Sequence, residues 1–385
     1  MTRIKKTIRN VHLVLGFASG LVVFIVAITG CLYAFKDEIE SLQSWRYAEA
    51  RQQPLLPPSV LKEKAAEIFP GRVIHGIAYG QPGKAAEVIF YEESPLFYKG
   101  VFMEPCTAEV LHVYDYPSSF FAFVFDGHFY LWLPPDIGQT VVATSTLVFV
   151  AMLLTGIVLW WPKKGNRKQR FTIKWNARWR RKNYDLHSVF GFYASWVAIV
   201  LALTGLVWGF QWFQAAVYGV VGGERSLVYT EPPSVTEPVS GFDQHRALDQ
   251  IWVSMRQEYP EAALMEVHVP HDEKSSLYVM IKQDEGTWWR TDYRYFDQYT
   301  LAEIEPEHLW AKFSEATVAD KIMRLNYDIH VGAIGGLPGK ILMFCASLLV
   351  ASLPVTGTLM WWGRRQKKRS KRREKATASQ VRVAS

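Results

Sequence analysis

Residues 13–35 read LVLGFASGLVVFIVAITGCLYAF, a run of 23 residues without Asp, Glu, Lys, Arg or His. Three further runs have the same character, at 137–161, 188–213 and 341–362. An α-helix needs about 20 apolar residues to cross the hydrocarbon core of a bilayer. Because backbone polar groups inside lipid must be satisfied within their own segment, each run is expected to be a helix. The sequence therefore predicts a mainly α membrane protein with a four-helix transmembrane bundle.

The distribution of charge predicts which side of the membrane each segment faces. Residues 1–11, 163–186 and 363–385 hold 24 of the 43 Lys and Arg residues, whereas 34 of the 36 acidic residues lie elsewhere. Basic segments beside spans stay in the cytoplasm and can contact anionic lipid. We expect both termini to be cytoplasmic and the two long loops to be external. The formal charge of +7 thus reflects membrane topology and does not indicate nucleic-acid binding.

The two external loops are long enough to form small domains. Each opens with a helical pattern and continues with strand-like alternation, which predicts two external α+β domains. The predicted segments are 1–36 (cytoplasmic N-terminus and span one), 37–136 (first external domain), 137–162 (span two), 163–186 (basic cytoplasmic loop), 187–213 (span three), 214–338 (second external domain), 339–362 (span four) and 363–385 (basic cytoplasmic tail).

The chain also contains an internal repeat. One set of positions recurs at an offset of 175 residues, and a second set recurs at an offset of 201. The first set is His12, Gly16, Thr29 and Gly30, matched by His187, Gly191, Thr204 and Gly205; the second is Gly138, Thr155 and Gly156, matched by Gly339, Thr356 and Gly357. Two span–loop–span units therefore lie in the same orientation, as in parallel repeats related by an axis along the membrane normal.

Four histidines stand at the ends of the predicted spans. His12 and His187 open spans one and three, and His128 and His330 precede spans two and four. Ionisable groups in or beside the hydrocarbon core are costly and mark functional sites. Facing pairs of neutral imidazoles suit a six-coordinate haem iron, whereas a tetrahedral zinc site would need further ligands, and the spans contain no Asp, Glu or further His. The sequence predicts two haem groups, with His12 and His187 as iron ligands of one and His128 and His330 of the other.

Glycines at helical spacing favour a large flat ligand near these histidines. Gly16 and Gly191 each follow a histidine by four residues, about one turn along the same helix face. Gly30 and Gly205 follow the cytoplasmic histidines by 18 residues, which is five turns or about 27 Å.

This spacing predicts that Gly30 and Gly205 lie at the depth of the external histidine pair. By the same period, Gly156 and Gly357 are expected at the depth of the cytoplasmic pair, so that each site takes ligands from one pair of helices and clearance from the other. The alternative is that glycine and threonine at these places serve only close helix packing.

Six more histidines fall in the external loops, where a solvated or locally hydrogen-bonded side chain is the usual state. They are His75, His112, His245, His268, His271 and His308. Only the pair His268 and His271 has a spacing that could serve a metal ion, and its expected place on a strand or turn makes that signal weak.

Motifs along most of the chain carry a family resemblance. They include Val11-His12-Leu13, Leu154-Thr155-Gly156 and Leu337-Pro338-Gly339. With these the chain resembles, over residues 7–365, the PepSY-associated transmembrane family, and in particular its ferric-siderophore reductases of the ferrioxamine B reductase type. Glu104 and Ala108 stand where the external PepSY domain usually has Asp and Gly. The resemblance implies b-type haem, a bacterial inner membrane, periplasmic external loops and reduction of ferric siderophores.

The expected function is therefore haem-dependent electron transfer across the membrane to a ferric siderophore, with a hydroxamate preferred because acidic loops disfavour strongly anionic complexes. No dinucleotide or flavin domain is recognisable, so the expected donor is a cytoplasmic reductase or membrane quinol.

One alternative function is a non-enzymatic PepSY module that regulates a surface peptidase. Another is a haem conduit to a different acceptor. A metal transporter is disfavoured, because the spans lack acidic residues for a cation path.

Overall fold

A computed structural model describes residues 2–49, 53–161 and 171–384 of the chain. The first part of the predicted basic loop, residues 163–170, and the side chains of most of the basic tail lie outside the described residues.

The helices and strands follow one another in the order that the sequence predicts for two span–loop–span segments. The helices are α1 (Arg3–Tyr33), α2 (Lys36–Glu40), α3 (Pro58–Ala66), α4 (Phe120–Phe129), α5 (Pro135–Trp160), α6 (Trp179–Gly209), α7 (Gln211–Val220), α8 (Gln244–Glu258), α9 (Val318–His330) and α10 (Gly336–Ala384). The strands are β1 (Ile74–Gly80), β2 (Ala86–Glu93), β3 (Leu96–Met103), β4 (Val110–Asp115), β5 (Leu264–His268), β6 (Leu277–Lys282), β7 (Thr291–Phe296) and β8 (Glu303–Ile304).

Helices α1, α5, α6 and α10 form the bundle. In the described residues they are long and apolar enough to cross a membrane, with the fourth candidate span covering Ala333–Lys367. Each packs along two neighbours in the cyclic order α1, α5, α6, α10, which places α1 and α6 at opposite corners. Leu21 and Trp196 remain 72% and 57% exposed on the uncharged stretches of α1 and α6, as expected for side chains that face lipid.

Small and branched residues fill the centre of the bundle and allow the helices to approach closely. Ala198 and Ala351 are almost fully buried there, and Leu153 packs with them from α5. The short helices α4 and α9 come directly before α5 and α10, and they carry His128 and His330 near their last turns.

The two external segments form one sheet, which corrects the prediction of two separate α+β domains. The strand order is β4-β3-β2-β1-β5-β6-β7-β8, and every neighbouring pair is antiparallel. The segments meet where β1 pairs with β5, so that Ile77 lies opposite Val267. An unpaired strand edge exposes backbone donors and acceptors. The pairing of β1 with β5 gives hydrogen-bond partners to one edge of each segment.

A shared hydrophobic core also joins the two segments. Helices α3 and α8 contact each other, and Leu61 and Leu248 on them are fully buried together with Ile77, Val88 and Val279 of the sheet. Asp243 caps α8 by accepting hydrogen bonds from the backbone N–H groups of residues 245 and 246. The opposite face of the sheet carries polar and aromatic side chains instead.

The joint between the segments predicts energetic coupling across β1 and β5. Ile77→Ala should destabilise the external unit by about 2–5 kcal/mol, because its side chain is fully buried. Combining it with Val267→Ala should give a non-additive loss of about 0.5–3 kcal/mol, since the two residues are direct partners. Denaturant unfolding in detergent measures both quantities. Strictly additive losses would contradict the shared core.

Candidate functional site

Each of the four bundle histidines is hydrogen-bonded through Nδ1 to a threonine on another helix. The Nδ1–Oγ1 distances are 2.9 Å for His12 and Thr155, 2.9 Å for His187 and Thr356, 3.3 Å for His128 and Thr29, and 2.8 Å for His330 and Thr204. Every one of these threonines immediately precedes a glycine in the sequence. The four Thr-Gly dipeptides therefore share one structural task.

These hydrogen bonds fix the tautomer of each imidazole. Each threonine donates its single hydroxyl proton to a carbonyl of its own helix, with Oγ1–O distances of 2.8 Å for Thr29 and Ile25, 3.0 Å for Thr155 and Met152, 2.7 Å for Thr204 and Val200, and 2.9 Å for Thr356 and Ser352. The threonine oxygen must then accept the Nδ1–H of the histidine. His128 Nδ1 also lies 2.9 Å from the carbonyl of Val26, which can only accept. All four rings thus keep a lone pair on Nε2, ready to bind a metal.

The glycine of each dipeptide makes room for the same imidazole ring. A Cβ atom at Gly30 would lie 2.9 Å from Cε1 of His128, and one at Gly205 would lie 3.4 Å from Cε1 of His330. The corresponding distances are 3.5 Å from Gly156 to His12 and 3.3 Å from Gly357 to His187. The glycines on α1 and α6 thus lie beside His128 and His330, and those on α5 and α10 lie beside His12 and His187, as the 18-residue spacing predicts.

Gly16 and Gly191 do not face the histidines that they follow. A Cβ atom at Gly16 would meet Cε of Met152 at 3.1 Å, and one at Gly191 would meet Cδ2 of Leu353 at 3.6 Å. These glycines let side chains of neighbouring helices approach. That they also give a flat ligand clearance beside His12 and His187 stays a prediction.

The external histidine pair has a separation suited to one shared metal ion. The ring centroids of His128 and His330 are 6.2 Å apart, with an interplanar angle of 68°. Metal–imidazole bonds of about 2 Å, with the ring radius added on each side, place two coordinated rings roughly 6 Å apart. The ring of Trp208 stands edge-on to His330 at 5.3 Å. The separation of the two rings thus fits a site where both would hold one metal ion.

His12 and His187 are held in the same way at the other end of the bundle. His12 bonds to Thr155 of α5, and His187 bonds to Thr356 of α10. The nearby Asn183 donates from Nδ2 to the carbonyl of Thr356 at 2.9 Å, which steadies the threonine that holds His187. Both ends of the bundle therefore present two imidazoles whose Nδ1 atoms are hydrogen-bonded to threonines.

Two further glycines set the position of the helices that carry the external histidines. A Cβ atom at Gly138 would overlap the carbonyl oxygen of Tyr130, and one at Gly339 would overlap that of Gly332. The chain folds back there between α4 and α5 and just before α10, so backbone contacts backbone. A side chain at either glycine would therefore require the neighbouring backbone to move.

The Thr-Gly pairs are visible in the sequence, but the sequence alone does not show what the threonines do. The signal was available, because a threonine precedes the glycine in each of the four spans. Spacing alone does not show that its hydroxyl reaches a histidine on another helix. Thr29, Thr155, Thr204 and Thr356 thus join the candidate site on structural grounds.

Comparison with known proteins gives one family. The family model described as PepSY-associated TM region matches residues 9–364. No curated protein matches the chain.

The backbone contacts at Gly138 and Gly339 predict a strong local effect. Gly138→Ala or Gly339→Ala should destabilise the bundle by about 1–3 kcal/mol or more, because the added methyl group overlaps a carbonyl oxygen. Gly191→Ala is the matched control, since its Cβ meets only Leu353 at an ordinary contact distance of 3.6 Å. Thermal unfolding in detergent compares the three variants. If Gly138→Ala had the same melting temperature as Gly191→Ala and the wild type, the close contact would be contradicted.

Proposed function

The chain belongs to the family of PepSY-associated transmembrane regions, and from this premise we propose that it carries electrons through a membrane between two haem b groups and reduces ferric siderophores on the external side. In enzymatic terms this is a haem-dependent ferric-siderophore reductase. The membrane would be the bacterial inner membrane, with both termini in the cytoplasm and the long loops in the periplasm.

The observation that carries the proposal is the repeated Thr–His hydrogen bond. Four imidazoles in two pairs each have Nδ1 engaged by a threonine hydroxyl, which leaves Nε2 as the nitrogen that could bind a metal. Helix packing alone does not require a histidine opposite each Thr-Gly dipeptide. A metal-ligating histidine characteristically donates its other ring N–H to an oxygen acceptor, which fixes its orientation. His12 with His187 and His128 with His330 would therefore hold haem iron at the two ends of the bundle.

When bound, haem b supplies one-electron redox chemistry, while the protein sets ligation, burial and access. The histidines of this chain would provide neutral axial ligands, which add no charge to the membrane interior. The threonines would hold the imidazole planes, and Gly30, Gly205, Gly156 and Gly357 would leave room for the rings. Between the two ends, apolar residues such as Leu153 and Val350 exclude water from the bundle centre.

The charge of the external segments supports a neutral or cationic acceptor. Apart from the three basic segments, the chain has 34 acidic residues against 19 Lys and Arg. Like charges on both partners would weaken association, so a ferric hydroxamate is preferred over a strongly anionic complex. The ferric ion would gain one electron and become Fe(II), which hard oxygen ligands bind less tightly. The donor would be a cytoplasmic reductase or membrane quinol.

Haem ligation by two histidine pairs predicts a pairwise pattern among alanine variants. His12→Ala and His187→Ala should each remove the same haem, and His128→Ala and His330→Ala should each remove the other, so that haem content falls from two to about one per chain. His245→Ala is the control, because that side chain is 42% exposed in the external unit. Reduced-minus-oxidised spectra with haem quantification test this. Different residual spectra from the two members of one pair would contradict the pairing.

The choice of acceptor is tested by anaerobic reoxidation. The reduced protein is mixed with a ferric hydroxamate and an Fe(II) chelator, and haem absorbance is followed together with Fe(II) capture. One Fe(II) should appear for each haem reoxidised, since each transfer moves one electron. If the haems stay reduced with ferric siderophores but reoxidise with copper or a small oxidant, iron is not the acceptor and the electron conduit serves another one.

A further inference from the structure

A second group of potential metal ligands lies in the external unit, on the sheet face opposite helices α3 and α8. His75, Glu266 and His268 each offer one ligand atom, and these atoms lie within 4.8 Å of one another. Nε2 of His75 is 3.2 Å from Nδ1 of His268, and Nε2 of His268 is 3.3 Å from Oε1 of Glu266. The group shares no residue with the four bundle histidines.

The strand geometry explains how distant residues converge here. Glu266 and His268 are two residues apart on β5, so their side chains point to the same face of the sheet. On β1 the register shifts between Ile74 and Gly76. Such a bulge redirects a side chain, and His75 reaches the face that carries His268.

A glycine keeps the space between the ligands open. Gly76 is the direct partner of His268 on the neighbouring strand. A Cβ atom at Gly76 would lie 3.0 Å from Oε1 of Glu266 and 3.3 Å from the carbonyl oxygen of Val267. Any larger residue would therefore press on the carboxylate and close the gap between the three side chains.

Packing holds the imidazole of His268 in place and leaves one of its nitrogens without a hydrogen bond. Its ring is only 6% exposed and stacks on Tyr278 with centroids 3.7 Å apart. The buried Nε2 atom lies 3.3 Å from Oε1 of Glu266 but makes no well-aligned hydrogen bond with any described residue. A buried polar atom without a partner costs about 1–3 kcal/mol, and a metal ion at this point would remove that cost.

Burial disfavours the charged form of both imidazoles. Burial lowers the pKa of His268 well below its ordinary value, and the neighbouring His75 and His271 lower it further. Burial likewise lowers the pKa of His75. For Glu266, burial raises the pKa to about 8, with a contribution from Glu87. Such a carboxyl group is poorly stabilised as an anion unless a cation comes to it.

We propose that His75, Glu266 and His268 bind one divalent first-row transition-metal ion of the Zn²⁺ or Co²⁺ type. Two imidazoles and one carboxylate match the ligand preference of these ions, whereas Ca²⁺ and Mg²⁺ require mainly oxygen ligands. Three protein ligands leave further coordination positions for water or an external ligand. His271, whose side chain is 47% exposed, lies with its ring parallel to His75 at 6.2 Å, beside this opening.

The test uses the full-length protein, purified in detergent and freed of divalent metal with a chelator. Zn²⁺ is titrated calorimetrically and Co²⁺ by its visible absorption. The wild type should bind one ion per chain at this site in the micromolar range or tighter. Glu266→Gln and His268→Gln should each weaken that binding by at least tenfold, because each removes a ligand while keeping a similar volume.

His245→Gln is the matched control, since His245 is a partly exposed external histidine that pairs with Glu63 at 3.1 Å. It should bind metal like the wild type. Thermal melting without metal shows whether each variant remains folded, and Gln at position 266 or 268 should also abolish the metal-induced rise in melting temperature. Wild-type affinity in folded Glu266→Gln and His268→Gln, or no stoichiometric Zn²⁺ binding by the wild type, would overturn the proposal.

Discussion

The hydrogen bond between imidazole Nδ1–H and a threonine hydroxyl is the interaction on which the bundle depends. A typical intramolecular hydrogen bond contributes about 0.5–1.5 kcal/mol, but a buried donor left without a partner costs about 1–3 kcal/mol. The four histidines are half-buried near or within apolar helices, where such partners stabilise their imidazole N–H groups. Because each threonine hydroxyl already donates to its own helix, the direction of the bond is determined. The bond therefore fixes both the ring orientation and the nitrogen that stays free.

The same hydrogen bonds also couple the two ends of the bundle. Helix α1 carries His12 at one end and Thr29-Gly30 at the other, so it contributes a histidine to one site and a threonine that holds His128 to the opposite site. Helix α6 does the same with His187 and Thr204. A shift of either helix along its axis would disturb both sites together. The small residues at the bundle centre, such as Ala198, allow the close packing that prevents such a shift.

Sequence reasoning succeeded where helical periodicity decides the geometry. The 18-residue interval from His12 to Gly30 corresponds to five turns, and the structure places Gly30 against His128. The four-residue interval from His12 to Gly16 was less informative, because Met152 of a neighbouring helix fills that position. Interhelical contacts of this kind depend on which helices are neighbours, and the local sequence does not encode that.

In the external unit, the sequence predicts even less of which elements become neighbours. Strand β1 has no regular alternation of apolar and polar residues, and its pairing with β5 joins segments almost two hundred residues apart. Nothing in either segment indicates that their edges meet, so the sequence suggested two domains. The cluster of His75, Glu266 and His268 depends on that pairing and on a local bulge. Residue spacing could not reveal this cluster, because spacing relates His268 only to His271.

The central claim is that paired histidines hold two haems, and the spectrum of the purified wild-type protein tests it most directly. Optical and electron paramagnetic resonance spectra, recorded oxidised and reduced with haem quantified per chain, report both stoichiometry and axial ligation. The account predicts two non-covalent b haems per chain, both low-spin with two imidazole ligands. A colourless protein that also fails to take up added haem, or a single high-spin haem, would contradict it.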